Sequence, residues 1–505
     1  MSTIQETLNL MTALYYTVFL VYTLALIYIT IYCLLQFHLL YYYQKERFSR
    51  NGQAQPIPAP ADHWPFVTVQ LPIYNELYVA ERLIDNILQF DYPKDRFEVH
   101  VLDDSTDETV EITRRKVAQY QALGFLIEHI TREKRTGFKA GALKEAMPRA
   151  RGEFIAIFDA DFLPRADFLR VTLPYFSDPQ VGVVQTRWEH INEDYSLITR
   201  LQALHLNVHF TIEQQGRQAG RCMLQFNGTA GVWRRKTIDD AGGWEADTLT
   251  EDLDLSIRAQ LKGWKIRYLE NIGSPAELPA EMNGLKSQQF RWMKGGAETA
   301  RKMLPTIWRS QLNFRQKVHA TGQLAASSIF IFIFLAGLFS VPLLFIQPKL
   351  NISMGFFTYF LVGWLAIIAI YYVANVQAEM HRPNRLRQLL KFLLLFPLFL
   401  ALSMGLSLHN TIAVIQGYLG RKSPFVRTPK FDIKGVTDSF RKQQYLASNL
   451  SWTTIFEGLL TLYFLIAVII GWYMANTTFL IFHSLLVCGY GTIVYYSIRH
   501  LRPKS

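Results

Sequence analysis

The chain is 505 residues long, 50% hydrophobic and only 18% charged, with a mean hydropathy of +0.08. That is too apolar for a wholly water-soluble enzyme and too polar for a protein lying wholly in lipid, so membrane segments joined to a globular domain are expected. The net charge of +11 is assigned to Lys and Arg facing a cytosolic leaflet rather than to a nucleic-acid surface. Cys33, Cys222 and Cys488 form no CxxC pair or Cys/His cluster, which excludes a disulfide framework and a thiolate zinc site.

No Asp, Glu, Lys or Arg occurs between Glu6 and Lys45, and Thr12 to Tyr43 is almost continuously apolar. A span needs about 20 such residues, so residues 1–44 read as a transmembrane helix. A signal peptide fits poorly, because there is neither a basic start nor a small-residue cleavage site. Lys45, Arg47 and Arg50 place the following end in the cytosol, and 45–64, with its spaced prolines and alanines, reads as a linker. From Pro65 the pattern changes. Phe66–Leu71, Phe97–Leu102, Phe125–Ile130, Phe154–Phe158 and Val181–Gln185 are short apolar runs separated in several places by helical stretches. They predict an α/β domain over 65–297 with parallel strands covered on both faces, binding ligands beyond its strands' carboxyl ends.

Residues 298–320 read as a basic amphipathic helix on the membrane surface, and 321–505 as a C-terminal transmembrane region. Spans are expected near Leu324–Phe345, Phe356–Val376, Trp452–Met474 and Phe479–Ile498. Leu389 to Leu419 lies between two basic loops, one with Arg382, Arg385 and Arg387, the other with Arg421, Lys422, Arg427 and Lys430. A single crossing would put one loop outside. Pro397, Gly405, His409 and Asn410 interrupt the run, so a broken helix is expected: re-entrant, interfacial or a short hairpin returning to the cytosolic side. A cytosolic basic loop follows at about 420–445.

The polar motifs sit where the apolar runs end. Asp159 and Asp161, one residue apart after Phe154–Phe158, can share a hard cation, Mg²⁺ or Mn²⁺, which in turn neutralises a diphosphate. A solvated turn is the plain alternative. Asp103 and Asp104 end another run; they suit a nucleobase and ribose, or else a helix cap. Tyr74 and Glu76, in Pro72–Glu76, hold the equivalent place after the first run. Arg135–Gly141 supplies cations and a flexible backbone suited to phosphate. Thr250-Glu251-Asp252 opens a helix, where the dipole favours an ionised carboxylate able to act as general base. A capping box from Thr248 to Glu251 explains Glu251 but not Asp252. Gln288, Arg291 and Trp292 join a permanent cation that can stabilise a departing diphosphate to an aromatic face for sugar stacking.

In this order (Asp-Asp, D-x-D, T-E-D, Q-x-x-R-W, between membrane spans) the motifs resemble the processive family-two glycosyltransferases, the synthases of cellulose, hyaluronan and chitin. RTGFKAGAL (135–143), TEDLDLSIRAQLKGWK (250–265) and QQFRW (288–292) are most similar to plant cellulose-synthase-like A and C mannan and glucan synthases and their bacterial relatives. The resemblance implies a Rossmann-like GT-A domain inserted between transmembrane helices. Donor residues would be Asp103, Asp104, Lys139, Asp159, Tyr74 and Glu76, and Asp161 with Asp159 would ligate the metal. Asn227, Gly228, Thr229, Gln288 and Trp292 would bind the acceptor, and Asp252, Glu251 and Arg291 would act in catalysis. Phe425, Arg427, Thr428 and Pro429 would belong to a cytosolic gating loop, with Arg427 where the family has valine.

The implied activity is inverting transfer of a hexose from a UDP-glucose or GDP-mannose class donor to a growing β-1,4-linked mannan or glucan, with coupled secretion. The site would be cytosolic in a bacterial inner or equivalent plasma membrane, with no nucleic-acid partner. Two rival expectations are a glycolipid synthase with a ceramide or diacylglycerol acceptor, and a non-enzymatic transporter or scaffold.

Overall fold

The structure, a computed structural model, describes residues 2–49, 64–347, 349, 355–378, 384–435, 437–440, 445–447 and 449–501. Most of the expected 45–64 linker and the tail after Leu501 lie outside the described residues.

Among the described residues, seven strands form one sheet: β1 Val67–Ile73, β2 Phe97–Asp103, β3 Ile127–Thr131, β4 Phe154–Ile157, β5 Val181–His190, β6 Gly231–Arg234 and β7 Lys265–Ala276. Their spatial order is β3-β2-β1-β4-β6-β5-β7. The central strands are buried on both faces, which is why they read as unbroken apolar runs. One face packs on Leu83, Phe90, Phe158 and Phe168, the other on Leu143, Trp233, Trp244 and Leu255.

The five expected runs are β1 to β5 and lie parallel to one another, with β7 parallel beside β5; β6, not among the expected strands, runs antiparallel to both β4 and β5. Its four residues, GVWR, are too short to show a strand period. The reversal has a functional consequence, because it brings the residues just before Gly231 to the edge where β1, β2 and β4 end.

Among the described residues, five helices are long and apolar enough to cross a membrane: Asn9–Ser49, Ala326–Ile346, Arg385–Gly405, Trp452–Tyr473 and Leu480–Arg499, with a shorter apolar stretch at Leu361–Gln377. The chain is thus a membrane protein. Leu390, Leu393 and Leu394, and likewise Leu459, Leu462 and Ile466, stay exposed, as lipid-facing side chains do. The helix Arg385–Gly405 crosses Leu480–Arg499 where Gly405 and Gly489 meet backbone to backbone; a Cβ on either would strike the backbone of the other helix.

Two boundaries differ from expectation. Residues 298–320 are not a separate surface helix. Met282–Arg309 is one helix through the expected domain edge at 297, and Phe314–Leu324 is a second. Ala300, Met303 and Ile307 pack against Leu253 and Ile257 of the domain, so the apolar stripe faces protein, not lipid. The segment 389–419 is broken as expected, into Arg385–Gly405 and Ser407–Tyr418. Both ends of this segment touch the α/β domain or the helix leading out of it: Lys391 lies 3.5 Å from Asp194, and Gly420 abuts Arg301.

Candidate functional site

The polar residues gather at the carboxyl ends of β1, β2 and β4, joined there by the turn before β6. That turn is held by sharp backbone. Gly228 has φ +78° and Ala230 φ +55°, in the left-handed region that costs an L-residue about 1 kcal/mol or more. Asn75 (φ +53°) and Phe138 (φ +51°) share that conformation at the same edge.

Asp252 is the second residue of the helix Glu251–Leu261, behind Thr250 as N-cap. The helix is capped at Thr250 rather than Thr248, and the buried Thr248 Oγ1 has no hydrogen-bond partner among the described residues, so the capping box from Thr248 to Glu251 is not realised. The Asp252 Oδ1 accepts from its neighbour's Leu253 N at 2.8 Å. A Cβ on Gly228 would sit 3.0 Å from Asp252 Oδ2 and 3.5 Å from Lys139 Nζ, so only glycine leaves this carboxylate open. Burial, reinforced by Glu251, pushes Asp252 up to about 7. The dipole preference for the ionised form is therefore outweighed by loss of water. Glu251 is raised too, by burial, against the pull of Lys139.

Lys139 Nζ reaches Asp159 Oδ1 at 2.5 Å and the Gly228 carbonyl at 3.0 Å, tying the D-x-D to the turn. Its pKa is raised: burial opposes the charge, but Asp159 and Glu251 overcome it. Asp159 N donates to Thr229 Oγ1 at 2.9 Å. Asp161 Oδ2 meets Lys430 Nζ at 2.6 Å. Each carboxylate thus spends one oxygen on a lysine, and the other has no hydrogen bond among the described residues. Carboxylate oxygens of this kind are the ligand type that Mg²⁺ and Mn²⁺ take. A second acidic group, Glu245, Asp247 and Asp254, has the spacing of a metal site but not the vacancy. Lys302 Nζ already lies 2.6, 2.9 and 3.1 Å from its three carboxylates.

Asp103 and Asp104 are engaged internally. Asp103 is shared between His129 Nε2 and Ser105 N, both at 2.9 Å, while Asp104 takes a forked pair from Arg132. Beside them Arg135 lies 3.3 Å over the Tyr74 ring and 5.5 Å from Phe425, which stacks on Phe138. This layered stack is a ready surface for a planar base.

The loop 425–431 lies across the site. Arg291 donates to Val426 O at 3.1 Å and Thr428 Oγ1 at 2.8 Å. Burial lowers its pKa to about 10, leaving it a cation. Arg427 pairs with Glu76 at 2.6 Å, and burial raises Glu76 to about 7 against that pairing. Gln288 and Trp292 are half-buried on the same helix as Arg291, and Trp292 packs on the sheet core.

Several site residues escaped sequence reasoning. Lys430, one residue past the expected loop motif, reaches Asp161 and the Glu277 carbonyl. Glu277 accepts from Phe431 N at 2.9 Å. His209 contacts Asn227 at 2.9 Å. The basic loop hinted at Lys430; nothing in the sequence marked the other two.

Residues 65–295 match the family described as "Glycosyltransferase like family 2". Glucomannan 4-beta-mannosyltransferase 1 of Oryza sativa subsp. japonica is 41% identical over 286 residues, covering 54% of this chain and 55% of the relative. Glucomannan 4-beta-mannosyltransferase 2 of Arabidopsis thaliana is 41% identical over 265 residues, covering 51% and 50%. The chain spans about half the length of these curated relatives. Among solved structures, mannosyltransferase PcManGT from Pyrobaculum calidifontis, in complex with GDP-Man and Mn²⁺, shares the fold with TM-score 0.52 at 20% identity. That match covers 79% of this chain and 100% of the other.

Proposed function

We propose, from the premise that residues 65–295 are a family-two glycosyltransferase domain of the GT-A fold, that the protein extends a β-1,4-linked mannan or glucan. The donor is a nucleotide hexose, with GDP-mannose favoured by the names of the similar proteins. The observation that carries the reading is the convergence of Asp252 and Lys139 on Gly228, with Lys139 also bound to Asp159.

The arrangement supports a single displacement. The acceptor hydroxyl, presented at 227–229, gives its proton to Asp252. Its oxygen bonds to the anomeric carbon as the bond from that carbon to the diphosphate oxygen breaks. The nucleoside diphosphate leaves with the electron pair, and the anomeric centre inverts. Lys139 and Arg291 lie where that charge grows, and preorganised cations in a buried site are strong stabilisers of it. Asp159 and Asp161 would hold the Mg²⁺ or Mn²⁺ that neutralises the diphosphate. Tyr74, Arg135 and Phe138 offer the base its stacking surface. Arg427, Thr428 and Lys430 let the loop 425–431 close the site over a bound donor. Trp292 offers a ring to the acceptor sugar. The basic loops put this domain on the cytosolic side of the membrane.

Purified protein in lipid nanodiscs should be supplied separately with GDP-mannose, UDP-glucose, UDP-galactose and UDP-N-acetylglucosamine. A long product cut by β-mannanase or β-glucanase, abolished by EDTA and restored by Mn²⁺ or Mg²⁺, is the expected result. A singly glycosylated, solvent-extractable lipid would replace the polymer reading, and no sugar release with any donor would overturn it.

A further inference from the structure

Two arginines, Arg132 and Arg135, stand where β2 ends, and their donors are used differently. Arg132 is saturated. Its Nε and one terminal nitrogen grip both oxygens of Asp104, and its other contacts are the Thr136 and Phe138 carbonyls and the Glu145 carboxylate. The Arg135 Nε is buried and has no hydrogen-bond partner among the described residues. Asp104 Oδ2, 3.9 Å from it, is beyond hydrogen-bond reach and already taken by Arg132. Stacking holds Arg135 instead. Its guanidinium carbon lies 3.3 Å from the centre of the Tyr74 ring, with Phe138 at 4.9 Å and Phe425 at 5.5 Å. A guanidinium held by its face keeps its N–H fork available in its own plane. A buried donor without an acceptor is costly, so a ligand that supplies one gains by binding there.

The acids at this edge are closed to a ligand. Asp103, itself buried, takes Ser105 N on one oxygen and faces His129 Nε2 with the other. Both oxygens of Asp104 belong to Arg132. The charged groups here therefore offer a nucleobase donors, not acceptors. A base read in that way must present acceptors of its own. Guanine has two side by side, O6 and N7, at the spacing of an arginine fork. Adenine and cytosine put an amino group on that edge, and uracil has only O4 beside a C–H. Placement separates this contact from the diphosphate. The strands run β2-β1-β4 at about 4.8 Å spacing, so the β2 end lies about 10 Å from the β4 end. At the β4 end Lys139 already holds Asp159.

We propose that Arg135 selects the nucleotide of the donor: stacked on Tyr74, its guanidinium donates a forked pair to O6 and N7 of guanine, so the donor is a guanosine diphosphate sugar. The inference rests on the nucleotide-sugar reading of the site and deepens it. The base lies beside the guanidinium in the same layer, where Phe138 and Phe425 extend the aromatic surface past Arg135.

The test measures binding rather than turnover. The full chain in nanodiscs, with Mn²⁺ present, is titrated with GDP, UDP and 7-deaza-GDP, in which a C–H replaces N7. The wild-type protein should bind GDP at least about tenfold more tightly than UDP, and 7-deaza-GDP about tenfold more weakly than GDP. Arg135→Met keeps an apolar stem over Tyr74 and should bring the three nucleotides within about threefold of one another. Its affinity for UDP should move less than about threefold, which also reports an intact site. Should that variant not fold, GDP against 7-deaza-GDP on the wild-type protein still decides. Equal binding of those two, or UDP bound as tightly as GDP, would overturn the proposal and leave a nucleotide site standing. So would a variant that weakens GDP and UDP alike, which would assign Arg135 to the phosphates. A wild-type protein that binds none of the three would overturn the nucleotide-sugar reading and this inference with it.

Discussion

Asp252 gives the sharpest test of the catalytic assignment, through pH. Only the ionised carboxylate can take the acceptor proton, and burial together with Glu251 holds this one up to about 7. The sign follows directly: activity should rise with pH as the group loses its proton. With a pKa near 7, about half the molecules carry the base at pH 7, about one in ten at pH 6 and about nine in ten at pH 8. The donor kcat/KM should therefore fall about fivefold from pH 7 to pH 6 and steepen towards about tenfold per unit below that, where an ordinary aspartate would stay flat to about pH 4. Glu251→Gln removes the like charge that helps raise Asp252 and should move the acid limb to lower pH. Measuring sugar release in nanodiscs from pH 5.5 to 8.5 for both proteins, at fixed ionic strength, decides the matter. A flat wild-type profile, or an active Glu251→Gln variant with an unmoved limb, would refute the reasoning.

Gly228→Ala should be costly, since its φ of +78° is strained for alanine and its Cβ would lie 3.0 Å from Asp252 Oδ2. We expect transfer to fall at least about tenfold with the donor KM changed less than about twofold; a wild-type rate would dismiss the contact. Lys302→Met leaves Glu245, Asp247 and the fully buried Asp254 with Arg258, 2.8 Å from Asp254 and 3.7 Å from Glu245, as their remaining cation, and should cost about 2 kcal/mol. A thermal inactivation midpoint several degrees lower would bear this out, and an unchanged midpoint would argue that the lysine is not what holds the cluster together.

Much of the site was legible because strand ends expose their chemistry. Val67–Ile73, Phe97–Asp103 and Phe154–Ile157 are buried on both faces, so each apolar run stops where the polar residues begin. The domain's exit was harder to read. Glu298, Arg301 and Lys302 made the helix Met282–Arg309 look like two segments, whereas Glu298 in fact accepts from Leu249 N and Lys302 is drawn into the acidic cluster. Long-range pairs left no trace at all. Lys430 meets Asp161 across 269 positions, and nothing local distinguishes it from the other cations of a basic loop. His209 lies on a helix whose apolar neighbours signal only burial, and the π-helical turn it opens, His209–Gln214, widens for tertiary reasons that no propensity encodes.

The loop 425–431 also sets a schedule for the chain's own synthesis. The sheet and its carboxylates are complete once residue 309 has emerged, but Arg427 and Lys430 follow more than a hundred residues later. At about 5–20 residues per second, a ribosome needs several seconds to tens of seconds to cover that interval. During it the hydrophobic helices between must enter the bilayer. A nascent chain stalled there would carry Glu76 and Asp161 without the cations that face them in the finished protein, so the last part of the site to be made is the part that depends on membrane insertion.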